Sequence, residues 1–233
     1  MTKKQSEISH RETPASKKPA FTSTRILFYG VGVFILALGI TLNTKTGLGV
    51  SPLISIPYTV SEIADWNTGN ITLIFYSFIT VLQLIIRGKN RRWLDLLQIP
   101  FSIVFTRFMN LFSALFDFHP QNIGQQLVIL FFAIVCTGIG VCMSVNMKII
   151  PNPCDGFVNM AGEMSGKGMG FAKNIFDITN VVVAFFIGLA AGNCLTGIGL
   201  GTIVTMLALG RVVAAFNKAF KEKMNRAAGL KTT

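Results

Sequence analysis

The stretch Leu127–Met147, LVILFFAIVCTGIGVCMSVNM, runs for 21 residues without a charged side chain. A helix rises 1.5 Å per residue, so this one covers the roughly 30 Å hydrocarbon core of a bilayer. Working outward, similar runs cover about Arg25–Asn43, Asn70–Ile86 and Leu97–Phe116 before it, and Asn174–Ala191 and Gly197–Phe216 after it. Each predicts a membrane span, making six. The composition of the 233-residue chain agrees: 51% is hydrophobic and 13% charged, where a soluble domain carries about 25% charged residues. Mean hydropathy is +0.57. The predicted fold class is all-α, a polytopic membrane protein of six transmembrane helices.

Two interruptions break the apolar pattern, Thr44–Pro52 (TKTGLGVSP) and Lys148–Gly156 (KIIPNPCDG). Each leads into an apolar segment too short to cross, Leu53–Ile63 and Phe157–Met164. These read either as half-helices or re-entrant elements, or as loops carrying a surface turn of helix. The halves of the chain share this plan. Asn43-x-Lys45 matches Asn146-x-Lys148 at a displacement of 103, and Asn70-Ile71 matches Asn174-Ile175 at 104, as Arg107 does Arg211. A 3+3 repeat is therefore expected over residues 25–117 and 126–217. A disordered basic cytoplasmic tail is expected at 1–24 and a second basic cytoplasmic tail at 218–233. Three spans is an odd number, so the second half enters the membrane from the opposite side. Inverted halves with paired interrupted segments are the pattern of secondary transporters.

The net charge of +11 invites a nucleic-acid reading, but its distribution argues against one. With the N-terminus inside, the inner segments hold six Lys/Arg in the first tail, four after span 2, three between spans 4 and 5 and five in the last tail, making 18 of the 21. Only Lys45 falls outside, and Arg107 and Arg211 fall within spans. Such asymmetry sets orientation, with both termini cytoplasmic.

Few residues in the spans can carry chemistry. Arg107 lies ten residues into span 3, where a charge costs at least about 2.5–3.5 kcal/mol, so it is expected to face the bundle interior and pair with a carboxylate or polar groups, Asp177 being the expected partner. It could bind an anionic group in a bidentate way, or serve as a structural ion pair or a snorkelling side chain. Arg211 is its counterpart in span 6. Asp177, the one acid within a span, could pair with an arginine, exchange a proton, or act as a strut. Ser51 and Pro52 from the first break and Asp155 and Gly156 from the second are expected to meet Arg107, Asp177 and Arg211 near the midplane as a candidate solute site. Asn43, Asn70, Asn146 and Asn174 read as helix caps. Gly140-x-x-x-Ser144 and Gly197-x-x-x-Gly201 permit close helix approach. Cys136, Cys142, Cys154 and Cys194 read as small buried hydrophobes. No nucleotide loop, nucleophile triad or metal motif is present, so no catalytic residue, metal or cofactor is expected, and an enzyme is not.

Further stretches carry a resemblance. Gly47-Leu48-Gly49-Val50-Ser51-Pro52 followed by Ile54-Ser55-Ile56-Pro57-Tyr58, with Leu97-Gln98-Ile99-Pro100, Gly170-Phe171-Ala172-Lys173-Asn174-Ile175-Phe176-Asp177, Gly201-Thr202-Ile203 and Leu209-Gly210-Arg211, resembles the YczE/YitT-like family of bacterial multi-pass membrane proteins. The resemblance covers about residues 25–217. It implies a bacterial cytoplasmic-membrane location and a multi-pass fold, and no substrate. Where that family is expected to carry Gly-Glu-Gly in the second break, this chain reads Cys154-Asp155-Gly156.

The leading functional expectation is a transporter or permease for a small anionic or zwitterionic solute. The other is a membrane accessory or regulatory protein that works through a partner and moves nothing. The expected partners are the lipid bilayer, a small solute, and a protein partner or homo-oligomer.

Overall fold

A computed structural model describes residues 22–90, 92–193 and 195–230. The tail expected at 1–24 thus lies, except for its last three residues, outside the described residues, as do Arg91 and Cys194. Eight α-helices occur among the described residues: α1 Ser23–Thr44, α2 Ser55–Ala64, α3 Thr68–Arg87, α4 Gln98–Leu115, α5 Ile123–Asn146, α6 Pro153–Ser165, α7 Gly168–Ala190 and α8 Leu200–Ala227. All but α2 and α6 are long and apolar enough to cross a membrane, which gives the six spans expected.

Local chemistry sets the boundaries. Thr22, Asn67 and Asn122 accept from the backbone N–H of Arg25, Asn70 and Gln125, satisfying otherwise orphaned donors at the starts of α1, α3 and α5. Asn70 and Asn174 were expected at span ends as caps. Both instead lie inside helices, because the α3 cap sits three residues earlier and α7 begins at Gly168. An Arg87–Asp95 ion pair at 3.5 Å closes the link from α3 to α4.

Helix α1 lies antiparallel against α5. Gly32 meets Met143 and Ser144, Gly140 meets Leu36, and Gly39 meets Thr137. Lipid gives no hydrophobic drive for helices to associate, so close backbone approach at small residues supplies the contact instead. At one end of the seam Arg25, buried, donates to the carbonyls of Met147 at 2.7 Å and Lys148 at 2.9 Å. The register places the break after α1 and the break after α5 at opposite ends of the bundle. Helix α4 packs on α1 and α8 on α5, while α2 packs on α7 and α6 on α3. Each short helix therefore joins the other half of the chain.

The ends of both breaks and the first turns of both short helices are covered by protein: no residue from Ser51 to Ser61, or from Asn152 to Gly162, is exposed, whereas the last turns, 62–64 and 163–165, are. A helix lying wholly on the surface, the alternative reading, does not fit the covered starts, and buried irregular backbone is what a membrane setting demands. The first break is satisfied by Ser51 N–H donating to the Asn43 side-chain oxygen, Val50 N–H to Gly197 O, and Gly201 N–H to Leu48 O. Gly49 has φ +97°, and a Cβ there would strike the Gly199 backbone, so both conformation and space require glycine.

One boundary differs at the C-terminus. Helix α8 continues to Ala227, well past Phe216, because Met224, Ala228 and Leu230 pack against Met143 and Met147. The Thr22 hydroxyl ties on the end by donating to Ala228 O at 3.0 Å.

Candidate functional site

The second break builds a polar centre. Pro153 opens α6 with a ring that suits a first helical turn, and Asn152 caps it by accepting from Cys154 N–H at 3.0 Å. The Asn152 amide then donates to the hydroxyl of Tyr76, a fully buried residue of α3, at 3.2 Å. This fixes the first turn of α6, with Cys154, Asp155 and Gly156, against α3 and α7.

On α7, Lys173 and Asp177 are one turn apart and pair at 3.2 Å. Asp155 stands near enough for both charges to act on it. One ammonium thus faces two carboxylates within protein, and the centre holds one negative charge in excess unless a proton is taken up. Burial pushes the Asp155 carboxyl above its ordinary range; Lys173 opposes this and Asp177 adds to it. Burial likewise pushes the Cys154 thiol well above its usual value.

Opposite the charges, Gly156 lies against two amides. A Cβ there would sit 2.6 Å from Gln98 Nε2 and 3.1 Å from Gln83 Oε1. Both glutamines are fully buried. Gln98 Oε1 accepts from the Thr80 hydroxyl at 3.3 Å, but Gln98 Nε2 and both amide atoms of Gln83 have no hydrogen-bond partner. A buried polar group left unpaired costs about 1–3 kcal/mol.

A pH dependence follows. A carboxyl whose pKa is raised on folding contributes stability that is fully present below its unfolded value, 3.8 for Asp155, and is lost as pH rises through the folded value. Asp155→Asn is expected to gain thermal stability relative to the parent as pH is raised from about 4 upward. Parallel melting-temperature curves for the two proteins would show that Asp155 is not in this environment.

Of the residues singled out in the sequence, Asp155, Gly156 and Asp177 come together here. Ser51 and Pro52 are buried at the opposite end, beside Asn43. Arg107 is exposed and Asp177 pairs with Lys173, which corrects the expected Arg107–Asp177 pair. The buried stripe of α4 runs through Gln98, Phe101, Ser102, Phe105, Thr106, Met109 and Phe112, and Arg107 falls off it. Its long apolar stem lets the charged head reach toward the polar level. Arg211 is exposed on α8 as well. An anion preference resting on these two arginines loses its basis.

Tyr76 and Asp177 lie near the middles of α3 and α7, while Gln98 opens α4 and Gln83 lies four residues from the end of α3, so the centre extends from mid-helix toward the end that carries both described chain ends. Lys173, Gln83, Gln98, Tyr76 and Asn152 were not singled out as site residues. An i,i+4 Lys–Asp pair and two glutamines at span ends were the available signals. Among the described residues, no three His, Cys, Asp or Glu side chains are grouped to hold a metal ion.

A family described as a family of unknown function, DUF6198, matches residues 23–218, which hold both breaks, the first five spans and most of α8. The chain belongs to DUF6198. "Uncharacterized protein YyaS" of Bacillus subtilis (strain 168) is 23% identical over 193 residues, covering 82% of this chain and 92% of that protein. "Uncharacterized membrane protein YczE" of the same organism is 22% identical over 190 residues, covering 81% and 83%. This bears out the YczE-like resemblance and a membrane-embedded, multi-pass chain. No solved structure matches this DUF6198 protein.

Proposed function

We propose that this DUF6198 protein is a transporter or permease for a small zwitterionic solute in the bacterial cytoplasmic membrane, with both termini cytoplasmic. The observation that carries the reading is the first turn of α6, where Gly156 lies against the unpaired Gln83 and Gln98 amides and its neighbour Asp155 feels the Lys173–Asp177 pair. That turn lies where α6 of the second half meets α3 and α4 of the first. Both carboxylates can take a cationic group, Lys173 an anionic one, and the amides either a donor or an acceptor. Exchange of partners between halves, α2 with α7 and α6 with α3, supports an inverted-repeat origin. At the far end, a cavity of about 240 Å3 lies at the first break between Gly49, Tyr58 and Gly199. Burial and nearby Glu62 push the Tyr58 hydroxyl up to about 12, so it stays a neutral donor there.

Orientation is tested by single-cysteine labelling from each face: Lys167→Cys is expected to label only from the cytoplasm, and labelling from outside would reverse the topology. Function is tested by thermal shift of the purified protein against neutral amino acids, dicarboxylates and quaternary amines. A zwitterion at about 100 times its dissociation constant stabilises by roughly 2.7 kcal/mol. Gln83→Leu is expected to remove that shift. Stabilisation by dicarboxylates alone would contradict the proposed solute class.

The second reading, an accessory protein acting through a partner, draws on α7 and α8. These are less covered by the rest of the chain than α1 and α5.

A further inference from the structure

Between α1 and α4, on the outside of the bundle, runs a groove of about 710 Å3 whose walls include Ile26, Gly30, Phe34, Phe101, Val104 and Phe108. Tyr29 also lines it, but its hydroxyl is spent on Ile150 O at 2.9 Å, which leaves the wall apolar. Ile26 to Phe34 on α1 and Pro100 to Phe108 on α4 are each eight residue steps apart, so the groove is roughly 12 Å long. It starts at the end of the bundle that carries both described chain ends and reaches the middle of α1 and α4. That is close to the depth of one leaflet, about half of a 30 Å core.

The chemistry at its mouth is basic. Lys148, exposed, lies two residues before Ile150, which lines the groove. Arg92 and Trp93, both exposed, stand on the segment leading into Pro100. Trp at that level marks the membrane–water interface, and Lys and Arg there attract anionic headgroups.

We propose that this groove binds an acyl chain of an anionic phospholipid from the leaflet at that end, with Lys148 meeting the headgroup. The site is separate from the polar centre and does not depend on its function. Length, apolarity and charge at one mouth together fit a lipid better than a partner helix, which would run the full depth of the membrane.

Gly30 gives the test, because a Cβ there meets nothing within 4 Å. Gly30→Leu fills the groove without touching the core, and Val104→Trp fills it from the other wall. The purified protein is examined by native mass spectrometry after incubation with phosphatidylglycerol or phosphatidylcholine of the same chains. The parent is expected to retain phosphatidylglycerol at least tenfold better. Both filling variants are expected to lose bound lipid, and Lys148→Ala to erase the preference between the two lipids. Glycerol phosphate alone should not compete, since the chain supplies most of the contact. Unchanged lipid retention in both filling variants, full competition by glycerol phosphate, or a dimer in the parent that both variants dissociate would each overturn the proposal.

Discussion

Gly39→Leu and Gly140→Leu are each expected to lower the melting temperature by roughly 10 °C or leave no folded protein. A Cβ at Gly39 would land on the Thr137 backbone, and one at Gly140 on the Leu36 backbone. Backbone cannot rotate aside as a side chain can, so α1 and α5 would have to separate along their whole seam. Overpacking costs about 1–3 kcal/mol even where side chains give way, and 1 kcal/mol corresponds to roughly 2–4 °C in a chain of this size. Gly30→Leu in lipid-free detergent is the control, since its Cβ enters open space. Equal melting temperatures for Gly30→Leu, Gly39→Leu and Gly140→Leu would mean that α1 and α5 do not pack in this register.

Lys173→Met is expected to cost about 3 kcal/mol, the low end for breaking a buried ion pair. The low end applies because the Lys173 side chain is 32% exposed and that of Asp177 only 10%. Removing the ammonium strands two carboxylates, Asp155 and Asp177. The double variant Lys173→Met/Asp177→Asn leaves one and should be more stable than Lys173→Met alone, which is the non-additivity that contact implies. Melting temperatures of the four proteins close the cycle. Strict additivity would mean that Lys173 and Asp177 do not interact.

Much of the fold was legible because its causes are local. The span at α5 follows from a 21-residue uncharged run, and the breaks follow from Gly47, Gly49, Pro151 and Pro153. The lipid-facing side of a helix was not legible. On α4, Ile103, Val104 and Leu111 are exposed while Phe101, Phe105 and Phe112 are buried. In lipid both faces are apolar, so no polar stripe marks the outside and Arg107 could not be assigned to it. Lys173 was missed for a related reason. Its charge set the expected start of span 5 at Asn174, whereas α7 begins at Gly168 and carries the lysine inward. The C-terminal helix was hidden by the opposite signal, since Lys218, Lys221, Lys223 and Arg226 read as a solvated tail while Met224 packs beneath them.

The cysteine at the polar centre offers the most direct test of whether that centre is a transport site. Cys154 is fully buried, next to Asp155 and across from Tyr76. With Cys136, Cys142 and Cys194 replaced by alanine, Cys154 alone can react with a small water-soluble methanethiosulfonate in native membranes. A transporter must open this centre to water in turn. Slow labelling of Cys154 is therefore predicted, its rate held down by a thiol that burial keeps protonated and reduced further by a solute that stabilises the protein. Complete protection in membranes, with full labelling once the protein is denatured, would contradict the proposal and leave a closed bundle that acts through a partner.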